Sequence, residues 1–253
     1  MTDRIAGRTA LVTGAGNGLG RAIALLLAAR GARVVLSGRD RAKLDAVAAE
    51  IGEAVVAPVD TASPASVAAL AASLAAEDVS ILVNNAGIAG PVAPLWEVEP
   101  GDWDEVFAVN VRGVYLMCRA FLPPMLAAGR GDIVNVASVS GKRPLARRTP
   151  YTASKMAVIG LTTTLAHEVG PLGVSVNTLS PGPVEGPRMT RNFALEARRT
   201  GTTPAQAEAA FVSRSALQRM VTEEEVALAT AAILNMPGLC GADIDLSAGM
   251  IGR

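Results

Sequence analysis

The chain has 253 residues, 23 acidic against 23 basic, with one histidine, and half of it is apolar. That length suits one sizeable core, the balanced charge gives no field for nucleic acid or an anionic surface, and a lone His167 excludes a multi-histidine metal site, so no metal is expected. Cys118 and Cys240 form no Cys-x-x-Cys pair and suit a reducing compartment, and residues 22–29 are too short an apolar run to span a bilayer; with no secretory signal at the N-terminus, a soluble cytoplasmic protein with no membrane or nucleic-acid partner is expected.

The first predicted strand is TALVT at 9–13, continuously apolar, and it runs into TGAGNGLGRAIALLL at 13–27. Glycines stand at 14, 16, 18 and 20, and an apolar helix follows, closed by Gly31. Glycine lets backbone N–H groups approach an anion, and a helix N-terminus adds partial positive charge. The stretch Thr13, Gly14, Gly16, Asn17, Gly18, Leu19 and Gly20 therefore reads as a cradle for a dinucleotide pyrophosphate, spaced T-G-x-x-x-G-x-G, with no Walker Gly-Lys-Ser/Thr behind it.

The second strand, 33–37, ends in SGRD, where the adenosine ribose is expected. Gly38 replaces the acid that would hold a free 2′-hydroxyl, Arg39 follows, and Ser37 offers a hydroxyl. A guanidinium attracts a 2′-phosphate and a carboxylate repels it, so NADP(H) is favoured and NAD(H) is the alternative.

A third strand at 54–59 leads to Asp60 and Thr61, then to Ser63 as cap and Pro64 as first helical residue. Strands follow at 80–85 and 132–138. A helix begins near TPYTASKMA at 149–157 and is expected to close at Gly170. Strands at 174–180 and 243–247 complete the series. TPAQ at 203–206 and TEEE at 222–225 read as capping boxes. Asp243 and Asp245 share one face of the last strand, suited to an edge or interface. Trp96 and Trp103 are expected under loops, and His167 at the surface of a helix end. Strand–helix alternation without repeat or linker predicts residues 1–253 as one doubly wound, parallel α/β domain with ligands at the strand C-termini.

Five segments in order carry a family likeness: the T-G-x-x-x-G-x-G cradle, LVNNAG at 82–87, FAVNVRG at 107–113, IVNVASVSG at 133–141 and YTASK at 151–155, with SPGPV at 180–184 as a sixth. From Thr9 to about Gly249 the chain resembles the short-chain dehydrogenase/reductase family. The resemblance implies a Rossmann-like sheet of seven parallel strands and hydride transfer between a nicotinamide and a carbonyl or hydroxyl carbon. It also implies a catalytic set of Asn110, Ser138, Tyr151 and Lys155. By the same likeness Asp60 contacts adenine, Asn84, Asn85, Ala86 and Gly87 lie against the adenosine ribose, and Pro181, Gly182 and Val184 edge the nicotinamide pocket.

Spacing gives the chemistry its own reason. Tyr151 and Lys155 are one turn apart on one helix face. An ammonium there favours the phenolate and suits the phenol to proton exchange near neutrality. Ser138, thirteen residues before Tyr151, can hold the substrate oxygen beside it. The family likeness gives Asn110 a helix kink and a proton-relaying water. It also implies a mobile cover over the substrate from Glu185 to about Leu217, whose helical pattern is irregular, and assembly as a homotetramer or homodimer. Arg188, Arg191, Arg198, Arg199 and Arg214 in that cover, with Lys142, Arg143, Arg147 and Arg148 in the loop before Tyr151, suggest an anionic substrate, and Arg147 and Arg148 are the first to test. The expected activity is an NADP(H)-dependent oxidoreductase acting on a small carbonyl or alcohol. Alternatives are an NAD-dependent sugar or polyol dehydrogenase, a 3-oxoacyl-thioester reductase (disfavoured because Asn17 stands where such enzymes often carry arginine) and a non-catalytic nucleotide-sensing relative.

Overall fold

Continuously apolar runs become strands covered on both faces. A computed structural model describes residues 3–251, without the Arg188 side chain. It gives β1 Thr9–Thr13, β2 Arg33–Gly38, β3 Ala54–Pro58, β4 Val79–Asn84, β5 Gly131–Val136, β6 Val174–Pro181 and β7 Asp243–Leu246. All pair in parallel in the order β3-β2-β1-β4-β5-β6-β7. The chain reverses direction across the sheet between β1 and β4, the switch point where an open α/β sheet binds ligands at its carboxyl edge.

Alternate residues of each strand feed two separate cores. Ala10, Val12, Val34, Leu36, Ile81 and Val83 pack with Ile23 and Leu27 of α1 (Gly18–Ala29), Leu44 of α2 (Arg41–Ile51) and Val226 and Leu234 of α9 (Glu223–Leu234). Leu11, Val35, Leu82, Ile133 and Val176 pack on the other face. Their partners are Leu70 of α3 (Pro64–Ser73), Met117 and Phe121 of α5 (Gly113–Ala127) and Val158 of α6 (Thr149–Val169).

Several local signals act as their chemistry dictates. The Ser63 hydroxyl accepts from Ser66 N–H with Pro64 at the first turn. Thr203 and Thr222 form complete capping boxes for α8 (Pro204–Val212) and α9. Gly170 does not stop the Tyr151 helix: at φ −54° it passes the chain into a 3-10 turn, and Gly173, at φ +85°, makes the left-handed stop. A side chain there would also meet Gly129 O at 2.2 Å.

The helix α4 (Pro100–Phe107) continues into α5 through a single π turn, Ala108–Arg112. The joined helix, Pro100–Ala127, is long and apolar enough by length and composition to cross a bilayer. Its apolar residues Val106, Val114, Met117, Phe121 and Met125 are instead buried in the core.

Two expectations are corrected. Trp96 is 85% exposed rather than packed under a loop, while Trp103 stacks on Phe107 at 4.8 Å. Within the stretch 185–217, expected to be irregular, the chain forms α7 (Pro187–Thr200) and α8. Among its described residues α7 buries Phe193 and Ala197, one turn apart, against Ala207 and Met220, with Met189 packed against them one turn earlier. Asp243 and Asp245 lie on the edge strand β7, as expected, and both bind the Lys142 ammonium, the first at 2.6 Å. His167 is exposed in the last turn of α6, as expected.

Burial pushes the Cys118 thiol up to about 12, whereas Cys240 is exposed. Since the thiolate is the reactive form, a thiol reagent at neutral pH is expected to label Cys240 alone in the native protein and Cys118 only after unfolding. Equal labelling rates in the native state would contradict this core.

Candidate active site

The carboxyl edge of the sheet is held together by side chains that hydrogen-bond from strand to strand. The Thr13 hydroxyl accepts from the backbone N–H groups of Asn85 and Ala86, both at 3.0 Å, and so ties the exit of β4 to the end of β1. Asn85 Nδ2 donates back to Thr13 O at 2.9 Å. Asn84 is turned the other way, into the interior: its Nδ2 donates to Asn135 Oδ1, and Asn135 Nδ2 donates to Thr162 Oγ1, both at 2.9 Å. That chain fastens α6, the helix of Tyr151, across β4 and β5.

Behind β1 the glycines are there for space. Gly14, at φ +66°, adopts a backbone conformation that L side chains rarely take, and a Cβ on Gly20 would lie 2.1 Å from Gly14 O. The first turn of α1 has no acidic residue, and its cap residue Asn17 makes no side-chain hydrogen bond. Its N-terminal N–H groups thus have no capping side chain.

Two cavities open along this edge. One, of about 650 Å³, is lined by Gly14, Asn17, Gly18, Leu19, Asn85, Ala86, Gly87, Tyr151, Lys155 and Val184 among the sequence-predicted residues. Ile88, which carried no sequence signal of its own, also lines it, as do Glu185 and Arg191 of the expected cover and Glu223. The second, of about 490 Å³, lies under α7 and α8 and is lined by Leu19, Ser138, Tyr151, Pro181, Gly182 and Val184. Leu19, Val136, Ala137, Tyr151 and Val184 line both. Tyr151 therefore sits where the cavities meet.

Its neighbours are fixed. Lys155 is 5% exposed, donates from Nζ to Val136 O at 2.9 Å and places that nitrogen 5.8 Å from the Tyr151 ring centre. Ser138 Oγ accepts from Ser140 N–H at 3.1 Å and lies 3.5 Å from Pro181 O, a long contact for its own hydrogen.

Asn110 sits fully buried in the π turn. It accepts from Ile88 N–H at 2.8 Å and donates to Ile88 O and Ser154 Oγ. Ser154 in turn donates to Tyr151 O at 2.7 Å. Asn110 is thus a fastener between the loop after β4 and the helix that carries Tyr151. Ile88 and Ser154, its partners, were not singled out from sequence, although each lies one residue from a motif position.

The remaining predicted residues lie elsewhere. Arg39 and Asp60 are exposed at the ends of β2 and β3, outside both cavities. Asp60 accepts from Ala62 N–H. Thr61 is buried beside Gly113, whose Cβ, if present, would lie 3.1 Å from the Thr61 hydroxyl. Gly16 packs under Lys43. Ser37 is a correction: it is fully buried and donates to Ala57 O at 2.6 Å, so its hydroxyl is spent on β3 and unavailable to a cofactor. Asp40, which could have neutralised Arg39, caps α2 and pairs with Lys43 at 3.1 Å. That contact holds the Asp40 carboxyl below its ordinary range.

The cations also sort themselves. Lys142 is spent on Asp243 and Asp245. Arg147 is exposed, reaches Val92 O and lines neither cavity. Arg148 lines the smaller cavity but donates to Ala89 O and Gly90 O. Arg199 is paired with Glu196. The arginines that line the smaller cavity are Arg143, Arg148 and Arg214.

Comparison with known proteins agrees with this geometry. A family model described as short chain dehydrogenase matches residues 8–197. The chain is similar to D-threitol dehydrogenase of Mycolicibacterium smegmatis, at 44% identity over 70% of each chain. It is also similar to 2-dehydro-3-deoxy-L-rhamnonate dehydrogenase (NAD(+)) of a Sphingomonas species, at 39% identity over 74% of this chain and 76% of the other. Among solved structures it resembles a single-substitution variant of actinorhodin polyketide ketoreductase with NADPH, with a TM-score of 0.91 and 30% identity over 99% of both chains.

Proposed function

The chain belongs to the short-chain dehydrogenase family, an NAD(P)-dependent oxidoreductase acting on CH–OH donors, and we propose that it interconverts an alcohol and a carbonyl with NADP(H), using Tyr151 to move the proton. The observation that carries this reading is the position of Tyr151 on the wall shared by the two cavities. The residues fit a dinucleotide: a cradle whose packing a single Cβ would break, and a helix N-terminus without a capping side chain. When bound, the nicotinamide supplies the hydride chemistry.

The protein's own part is orientation and proton handling. Ser138 Oγ, whose hydrogen has only the distant Pro181 O as acceptor, donates to the substrate oxygen and holds it at Tyr151. Tyr151 Oη gives that oxygen a proton in reduction and takes one in oxidation. Lys155, anchored on Val136 O, keeps a positive charge beside the ring and stabilises the oxygen while its proton is away. Asn110 keeps Ile88 and the start of α6 in register. Helices α7 and α8 cover the substrate cavity and exclude water from it. An assembly of two or four copies belongs to the same reading, since Tyr115 and Met156 leave apolar surface on α5 and α6.

Arg39 supports NADP(H). It stands at the end of β2 with its acidic neighbour Asp40 already bound to Lys43. Replacing Arg39 by Ala is expected to weaken NADP(H) by about ten- to a hundredfold, the worth of charge-assisted hydrogen bonds, and to leave NAD(H) affinity in place. If the parent binds NAD(H) more tightly than NADP(H), this assignment fails; one relative is named for NAD(+) and one structural neighbour holds NADPH. The likeness to D-threitol dehydrogenase brings polyols into the substrate range.

A further inference from the structure

The wall of the substrate cavity carries three guanidinium groups and, among its described lining residues, no carboxylate. Arg148 is occupied by the Ala89 and Gly90 carbonyls. Arg143 arrives from the loop that follows Ser138 and Arg214 from the segment after α8, and both line the cavity. They are close enough for the Arg143 charge to act on Arg214. Arg214 lies over the Phe211 ring, 4.5 Å from its centre, which fixes its plane at the cavity. Partial desolvation first, and the Arg143 charge second, make the charged form of Arg214 costlier than in water.

Nearby cations show the contrast. Lys142 holds two aspartates, Arg199 holds Glu196 and Arg219 holds Glu225. Arg143 and Arg214 make no such ion pair among the described residues. The Glu196 carboxylate acts on Arg214 more weakly than Arg143 does and is itself held by Arg199, so an anion placed between the two like charges would stabilise them, and planar guanidiniums suit carboxylate or phosphate oxygens. Asn192, also on the wall, adds an amide.

We infer that the natural substrate carries a carboxylate or phosphate group held between Arg143 and Arg214, with its alcohol or carbonyl carbon at Tyr151. This rests on the oxidoreductase reading above. It replaces Arg147 and Arg148 with Arg143 and Arg214 as the anion-binding pair.

The test compares D-threitol, D-threonate and D-threitol phosphate as donors to NADP⁺ and NAD⁺, in the parent and in an Arg143→Gln/Arg214→Gln variant. In the parent, kcat/KM is expected to be higher for an anionic donor than for D-threitol. The preference for the anion should fall by at least about tenfold in the variant and recover in part in Arg143→Lys/Arg214→Lys. Preference for D-threonate alone identifies a carboxylate, and for D-threitol phosphate alone a phosphate ester. A parent preference for D-threitol, or an anion-to-neutral ratio the Gln variant leaves unchanged, overturns the inference and leaves the oxidoreductase reading standing. Tartrate and inorganic phosphate titrated into the NADPH complex, followed by nicotinamide fluorescence, give a readout without turnover. Both should bind at least about tenfold less tightly to the Gln variant, and equal affinity overturns the inference. Tyr151→Phe should keep that anion binding, so a catalytic failure is seen separately.

Discussion

Tyr151→Phe is expected to lose about a hundred- to ten-thousandfold in turnover, the usual contribution of a positioned general acid or base, while its dissociation constants for NADP⁺ and NADPH stay near the parent values. The substitution removes one oxygen at the junction of the two cavities and little else. Among the described residues no hydrogen bond depends on the phenol: the contact that fixes this turn runs from Ser154 Oγ to the Tyr151 backbone carbonyl, and Pro150 in the first turn is untouched. A variant that folds, binds dinucleotide and turns over substrate at the parental rate would remove Tyr151 from the chemistry. Steady-state kinetics with a binding titration on the same preparation makes the distinction.

Gly20→Ala should be the most damaging small change in the cradle. The new Cβ would lie 2.1 Å from Gly14 O and 2.6 Å from Asn85 Nδ2. Neither atom is the free end of a flexible chain. Gly14 O belongs to the turn that lines the larger cavity, and Asn85 Nδ2 is the donor that holds β4's exit to Thr13 O. Relief means moving the turn. Overpacking of this kind costs about 1–3 kcal/mol, and dinucleotide affinity should fall by more than about tenfold, since each lost hydrogen bond to a charged group is worth about 1.5–3 kcal/mol. Gly160→Ala is the matched control: it lies mid-helix in α6 with no atom within 4 Å of the added carbon. It should gain about 0.5–1 kcal/mol. Thermal unfolding and NADP⁺ titration of the two variants should diverge in opposite directions. Parental NADP⁺ affinity in Gly20→Ala would mean that the pyrophosphate is not where the glycines put it.

The strands were legible because both-face burial leaves a continuous apolar run, and helix starts were legible where Ser63, Thr203 and Thr222 carry their caps locally. The site was legible to the same depth: motif residues near one another in sequence also line the cavities. What stayed hidden depends on contacts between distant segments. Ser37 reads as a free hydroxyl until β3 offers it the Ala57 carbonyl. Asn84 reads as a cleft residue until Asn135 and Thr162, on other elements, draw it inward. Lys142 and Arg143 are neighbours with equal charge, yet Asp243 and Asp245, far along the chain, neutralise only the first. Which cation faces the substrate is decided by that pairing, and no local pattern announces it.

In the proposed reaction a nicotinamide held in the larger cavity would exchange hydride directly with a substrate carbon in the smaller one, with Tyr151 supplying the proton. The most direct measurement is the mass of the alcohol formed when a panel of ketoses, keto acids and sugar phosphates is reduced in ordinary water with NADPH deuterated at both C4 positions of the nicotinamide. The account predicts one deuterium on the carbinol carbon of the product, with product formation nearly lost in Tyr151→Phe. An alcohol that carries no deuterium, or the same yield from the Phe variant, would contradict it.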